Sequence, residues 1–95
     1  MLRLRLVNPN SDARMTAAMT AVARDWAPRD VQIISTTSSR AAPLITNATQ
    51  LEQAAGALLD LFEQGLDPLD GVVIAAFGDP GVEALRTRLQ VPVIG

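Results

Sequence analysis

Two short polar turns hold most of the chemistry this chain can offer. Asn8-Pro9-Asn10-Ser11-Asp12 follows the apolar run Leu2 to Val7, and Phe77-Gly78-Asp79-Pro80-Gly81 follows Gly71 to Ala76. Each turn has the form of a strand end that opens a helix, so each presents backbone N–H groups able to hold an anion or a polarised carbonyl. In an open α/β sheet, such turns lie at the carboxyl ends of the strands, where ligands bind. Asp79 suits the cap of the third helix, with Pro80 at its first position, better than it suits a base. Phe77, an aromatic just outside a buried apolar run, reads as a pocket wall. Thr36, Thr37, Ser38 and Ser39 end the second strand and offer hydroxyls to a polar substrate, although hydroxyl-rich loops often have no such role. Asn8, Asn10 and Ser11 are equally accounted for as turn and cap residues.

Side-chain acid–base chemistry is scarce. Cys, His, Lys and Tyr are all absent, which removes disulfides and the usual zinc ligand sets. Carboxylates are then the only side chains able to move protons near neutral pH. No metal or cofactor is expected. All basic residues are Arg, and the net charge of −2 is spread without runs, which argues against a nucleic-acid surface. No segment is apolar for long enough to span a bilayer. Asn8-Pro9-Asn10 interrupts what would otherwise mimic a signal peptide after Arg3 and Arg5, so a cytoplasmic location is expected.

The elements that must position the turns follow from periodicity. The 95 residues suffice for one small α/β domain of modest core. Strands are expected at Leu2–Val7, Val31–Thr36, Gly71–Ala76 and Val91–Ile94. Met15, Met19, Val22 and Trp26 recur at helical spacing and predict a first helix with one apolar stripe, Met15 and Met19 in the core, capped by Asn10 or Ser11. Leu51, Ala55, Leu58 and Phe62 predict a second, opened by a capping box at Thr49-Gln50-Leu51-Glu52 and closed at Gly65. Gly56 inside it suggests close packing on the sheet. The third runs from Pro80 to about Leu89. The βαβαβαβ order implies a parallel sheet with helices on both faces. Strand order 2-1-3-4 puts the polar second strand and the Pro92-bearing fourth strand at the edges. Arg5, in a central strand, then needs a carboxylate partner or a route to solvent.

Three segments, in order, resemble the hydantoin racemase branch of the aspartate/glutamate/hydantoin racemase superfamily. Leu6-Val7-Asn8-Pro9-Asn10-Ser11 with Met15-Thr16 is similar to its first turn and helix start. Ala42-Pro43-Leu44-Ile45 is similar to its Gly-Pro-x-x-Ile loop, with alanine for the glycine. Val73 to Gly81 resembles its cysteine turn, and Pro92-Val93-Ile94-Gly95 the strand closing the first half. The resemblance covers the whole chain but less than half of a family member. It implies a flavodoxin-like N-terminal half, a second half of the same protein, a homo-oligomer and a small-molecule substrate. It also implies cofactor-independent inversion of a carbon next to a carbonyl by two opposed cysteines.

By the same resemblance, Ala76 stands at the position of the family's first cysteine. Asn10, Ser11, Thr36, Ile45, Phe77, Gly78 and Asp79 line the substrate site. The backbone N–H groups of Phe77, Gly78, Asn10 and Ser11 hold the developing enolate. A methyl group cannot exchange a proton, so the chain alone is expected to be inactive. Three rivals stay open. One is an arylmalonate-type decarboxylase with one cysteine, for which hydroxyls just after Ala76 are lacking. Another is a binding module that keeps the cleft without the chemistry. The third is phosphate binding by a flavodoxin-like domain, for which the first turn lacks glycines.

Overall fold

The computed structural model describes residues 1–75 and 81–95. Strands β1 (Leu2–Asn8), β2 (Val31–Thr37), β3 (Gly71–Ile74) and β4 (Val93–Ile94) alternate with helices α1 (Ala13–Trp26), α2 (Ala48–Glu63) and α3 (Val82–Arg88). The strands form one sheet in the order β2-β1-β3-β4, and every pairing is parallel. This is the doubly wound arrangement expected from the alternation of elements.

Register decides which side chains share a face. Arg5 pairs with Ile34 and Val72, Val7 with Thr36 and Ile74, and Val72 with Val93. Val7, Val72, Ile74 and Val93 therefore point to one side, where they pack with Leu58 of α2 and Val82 and Leu85 of α3 as the buried core. Leu6, Asn8, Ile33 and Thr37 point to the other side, toward α1. The alternation of β1 has its cause here. Its first residues are exposed, and Val7 and Asn8 are fully buried. Arg5 needs no carboxylate: Nε donates to the carbonyl of Asp67 at 3.0 Å and a terminal nitrogen to Thr36 Oγ1 at 3.2 Å. The α2–β3 corner is sewn to β1 a second time, because Asp70 Oδ2 accepts the Arg3 N–H at 2.7 Å.

The helices depart from expectation in four places. The cap of α1 is Asp12, whose Oδ1 accepts the N–H groups of Arg14 and Met15, and not Asn10 or Ser11. The cap of α2 is Asn47, accepting the Gln50 N–H at 2.8 Å. Gln50 Oε1 reaches back to the Thr46 N–H, so the box lies two residues before Thr49. Gly56 is exposed, and a Cβ added there would meet nothing within 4 Å, so close packing does not explain it. The described helix α3 begins at Val82 with Gly81 at its N-cap; Asp79 and Pro80 lie outside the described residues. Gly65 does close α2: its N–H bonds to the Phe62 carbonyl and that of Leu66 to Leu61, a Schellman pair, with φ of 108°.

The largest correction concerns α1. Its stripe is not core: Met15 is 42 %, Val22 59 % and Trp26 86 % exposed. The buried residues are Thr16 and Thr20. Threonine can face a sheet because each hydroxyl finds a partner close by. Thr20 Oγ1 donates to the Thr16 carbonyl at 2.6 Å, and Thr16 Oγ1 lies 2.7 Å from Thr37 Oγ1. With those two facing the sheet, the apolar stripe falls on one flank, roughly 80–140° around the helix from the direction midway between them at ~100° per residue.

Two truncations separate core from flank. Leu58→Ala removes a fully buried side chain and is expected to lower the unfolding free energy by about 2–5 kcal/mol. Trp26→Ala, measured on dilute protein, is expected to stay within about 0.5 kcal/mol of the parent. Urea denaturation followed by circular dichroism reads both.

Candidate functional site

The carboxyl end of β1 is built around one amide. Asn8 is fully buried, and its side chain works in both directions. Nδ2 donates to the Asp12 carbonyl and to Thr16 Oγ1, each at 3.0 Å. Oδ1 accepts the Asn10 N–H at 3.1 Å, and the Asn8 backbone carbonyl accepts the Ser38 N–H. Asn10 repeats the device, with Oδ1 accepting the Asp12 N–H at 2.9 Å. Two successive Asx turns thus carry the chain around Pro9 and into α1.

The β2–α2 loop closes on this turn. Ser11 N–H donates to the Ala42 carbonyl at 3.1 Å, and Ala41 N–H returns to Ser38. The Asn8–Ser11 turn and the Ala42–Ile45 segment, distant in sequence, are therefore neighbours on one rim. Ile45 is half-buried beside exposed Pro43 and Leu44. Gly81 sits against α2: a Cβ added there would lie 3.4 Å from the backbone of Ala55, and φ is 77°. That distance is an ordinary contact, so it is the left-handed φ that favours glycine here.

This geometry changes the donor inventory. The N–H groups of Asn10 and Ser11, expected to face a ligand, are both spent on Asn8 Oδ1 and the Ala42 carbonyl. The rim instead offers Asn10 Nδ2, whose partner among the described residues is only the Met15 sulfur at 3.7 Å, and the half-buried Ser11 hydroxyl. Thr36 is occupied by Arg5 and shares the Val7 face, whereas Thr37 bonds to Thr16 on the α1 face. Ala76, Phe77, Gly78 and Asp79 lie outside the described residues, as does the direction of the Ala76 side chain. Among the described residues no cluster of metal-ligating side chains occurs, and no helix is long and apolar enough to cross a membrane.

Sequence reasoning weighed Asn8 as a turn residue or a ligand and Thr37 as a hydroxyl for a polar substrate; it missed that both meet Thr16 of the first helix, and it gave Thr20 no role. The signal was present: Thr16 and Thr20 are one helical turn apart, and Asn8 and Thr37 each end a strand. What hid them was the stronger apolar stripe on the same helix.

A parallel sheet ordered 2-1-3-4, with the β1–α1 turn and the β2–α2 loop hydrogen-bonded at its carboxyl rim, defines a doubly wound α/β module. Comparison with known proteins narrows the class. Residues 4–95 match the family model described as Asp/Glu/Hydantoin racemase, and the chain belongs to that family. It is 29% identical over 96 residues to a hydantoin racemase of Paenarthrobacter aurescens and 32% identical to one of Rhizobium meliloti. Among solved structures, the allantoin racemase from Klebsiella pneumoniae superposes with a TM-score of 0.89 at 36% identity over 100% of this chain. That from Pseudomonas fluorescens gives 0.91 at 30% identity over 98% of it. The chain spans only about two fifths of each relative: 41% and 39% of the two hydantoin racemases, and 39% and 40% of the two allantoin racemases.

Asn8→Ala leaves the buried Asn10 N–H without its acceptor and removes one donor each from the Asp12 carbonyl and Thr16 Oγ1. It is expected to cost about 1–3 kcal/mol and to speed hydrogen exchange at the Asn10 amide. Thr36→Val removes only one contact to a half-exposed Arg5 and is expected to leave that exchange rate unchanged. Urea denaturation and amide exchange by NMR measure the two effects.

Proposed function

We propose that this chain is the N-terminal half of a cofactor-independent racemase acting on hydantoins, allantoin or related five-membered cyclic ureides. The observation that carries this reading is the family match along residues 4–95, together with the pairing of the Asn8–Ser11 turn and the Ala42 loop on one rim. Inversion of a C–H carbon beside a carbonyl needs a base on one face and an acid on the other. The base takes the proton, the electron pair moves onto the carbonyl oxygen as an enolate, and the acid returns a proton from the opposite side. Fixed hydrogen-bond donors lower the cost of the enolate. In this reading Asn10 Nδ2, Ser11 Oγ and the turn at Phe77 and Gly78 supply donors, and Ile45 and Phe77 supply walls. Thr36 and Asp79 complete the site. The second half of a family-length protein supplies the facing wall and the opposed acid. A cytoplasmic homo-oligomer is the form in which it acts.

Position 76 limits what this sequence can do. The alanine methyl holds no exchangeable proton, so this face of the substrate has no base and the chain by itself does not racemise. Ala76 also favours a second reading, a binding module that retains the cleft and not the chemistry.

Polarimetry of a single hydantoin enantiomer in D2O, with deuterium incorporation followed by NMR, separates these readings. A family-length protein carrying Ala76 is expected to leave the optical rotation unchanged, and Ala76→Cys to raise inversion by about 10²–10⁴-fold. Undiminished racemisation with Ala76 in place overturns the two-base assignment. Binding of the hydantoin with no gain from Ala76→Cys marks a binding module.

A further inference from the structure

Ser38 carries a buried hydroxyl without a partner. The residue is 1 % exposed, and among the described residues its Oγ meets no donor or acceptor. A buried polar atom left in that state costs free energy unless a bound molecule satisfies it. The direction of the side chain follows from the ladder. Ser38 N–H donates to the Asn8 carbonyl at 3.0 Å, one step beyond the Asn8–Thr37 pair, so the alternation of β2 continues through it. That puts the hydroxyl on the face of Thr36 and Val7, toward α2.

A recess of about 200 Å³ lies there, with Ser38, Ser39 and Arg40 along one wall. The other wall is a single stripe of α2 and its C-cap: Ala57, Asp60, Leu61 and Gln64. The recess holds one cation and one anion, and they do not neutralise each other. Ion pairs among the described residues join Glu83 to Arg86 and Glu63 to Arg88; Arg40 and Asp60 belong to neither. A guanidinium and a carboxylate that line one recess without meeting suit a ligand that carries both charges. A lone anion is repelled by Asp60, and a lone cation by Arg40. Water can satisfy the hydroxyl but neutralises neither charge. A zwitterion places its carboxylate on Arg40 and the Ser38 hydroxyl, and its ammonium on Asp60, in charge-assisted hydrogen bonds. Size narrows the class further, because the recess is smaller than the ~300–1,000 Å³ of pockets for drug-sized ligands. Ala57 and Leu61 leave room for a short apolar side chain only.

We infer that the recess between Ser38–Arg40 and the C-terminal half of α2 is a binding site for a small zwitterionic α-amino acid. None of its residues belongs to the proposed racemase site, so it stands or falls independently of that reading.

Titration of the isotope-labelled 95-residue chain with L-alanine, followed by amide NMR, tests it. One saturable set of shifts is expected at Ser38, Ser39, Arg40, Asp60 and Gln64. Acetate and methylammonium, each able to meet one charge only, are expected to bind at least about 10-fold more weakly than L-alanine. Arg40→Gln and Asp60→Asn fall at exposed positions and are expected to keep the circular dichroism of the parent. Each is expected to weaken L-alanine binding at least about 10-fold. The first removes acetate binding and spares methylammonium, and the second does the reverse. Ser38→Ala is expected to weaken L-alanine binding about 3- to 10-fold without lowering stability to urea, since its hydroxyl has no protein partner to lose. Shifts that rise linearly to the highest L-alanine concentration overturn the inference, as do shifts that the charge variants leave unchanged; water alone then meets the Ser38 hydroxyl. A family-length protein carrying these residues is expected to bind L-alanine with the same affinity. Loss of binding there means that the second half of the protein fills the recess, and overturns the inference as well.

Discussion

The buried side chain of Asn8 is the constraint on which the carboxyl end of this sheet depends. An asparagine with no exposure must satisfy its donor and acceptor atoms inside the protein. Here that demand specifies the path of the chain. Oδ1 accepts the Asn10 N–H, so the backbone must fold back after Pro9. Nδ2 donates to the Asp12 carbonyl and to Thr16, so α1 must start within reach and turn Thr16 toward the strand. The Asn8 carbonyl takes the Ser38 N–H, which ties the end of β2 to the same point. A single amide thus sets the turn, the first helix and the neighbouring strand end in one geometry.

The consequence for chemistry is a rim that is rigid but largely self-satisfied. Backbone N–H groups at a helix start are generic anion donors, yet here the loop and the Asx turns consume those of Asn10 and Ser11. Among the described residues of this turn, the polarity not taken up by the backbone network is that of Asn10 Nδ2 and the Ser11 hydroxyl. The Asn10 amide is held in place by the same network, because its Oδ1 accepts the Asp12 N–H.

The threonines of α1 link that rim to the outer surface. Thr16 and Thr20 are small and hydrogen-bonded, so the helix approaches the sheet through them. Long side chains are thereby displaced to the flank, where methionine, valine and tryptophan form an apolar edge next to a groove. Polar satisfaction at the strand ends and an exposed apolar stripe are two results of one rotation of the helix about its axis.

Much of the architecture was legible in the residues alone. Continuous apolar runs at Gly71–Ile74, alternation in β1, proline at position 92 and the order of elements were enough for a parallel sheet arranged 2-1-3-4, because local periodicity and right-handed crossovers leave few other solutions. The family, too, was readable from the Asn8–Ser11 turn, the Ala42–Ile45 loop and the Val73–Gly81 segment. Tertiary structure alone decided three things. It gave Arg5 a carbonyl and a hydroxyl in place of a carboxylate, since only folding brings Asp67 and Thr36 beside it. It engaged the Asn10 and Ser11 amides through partners, one of them Ala42, that no local spacing announces. It also turned the hydrophobic stripe of α1 away from the core, because periodicity reports that a helix has an apolar face and only packing determines what that face meets.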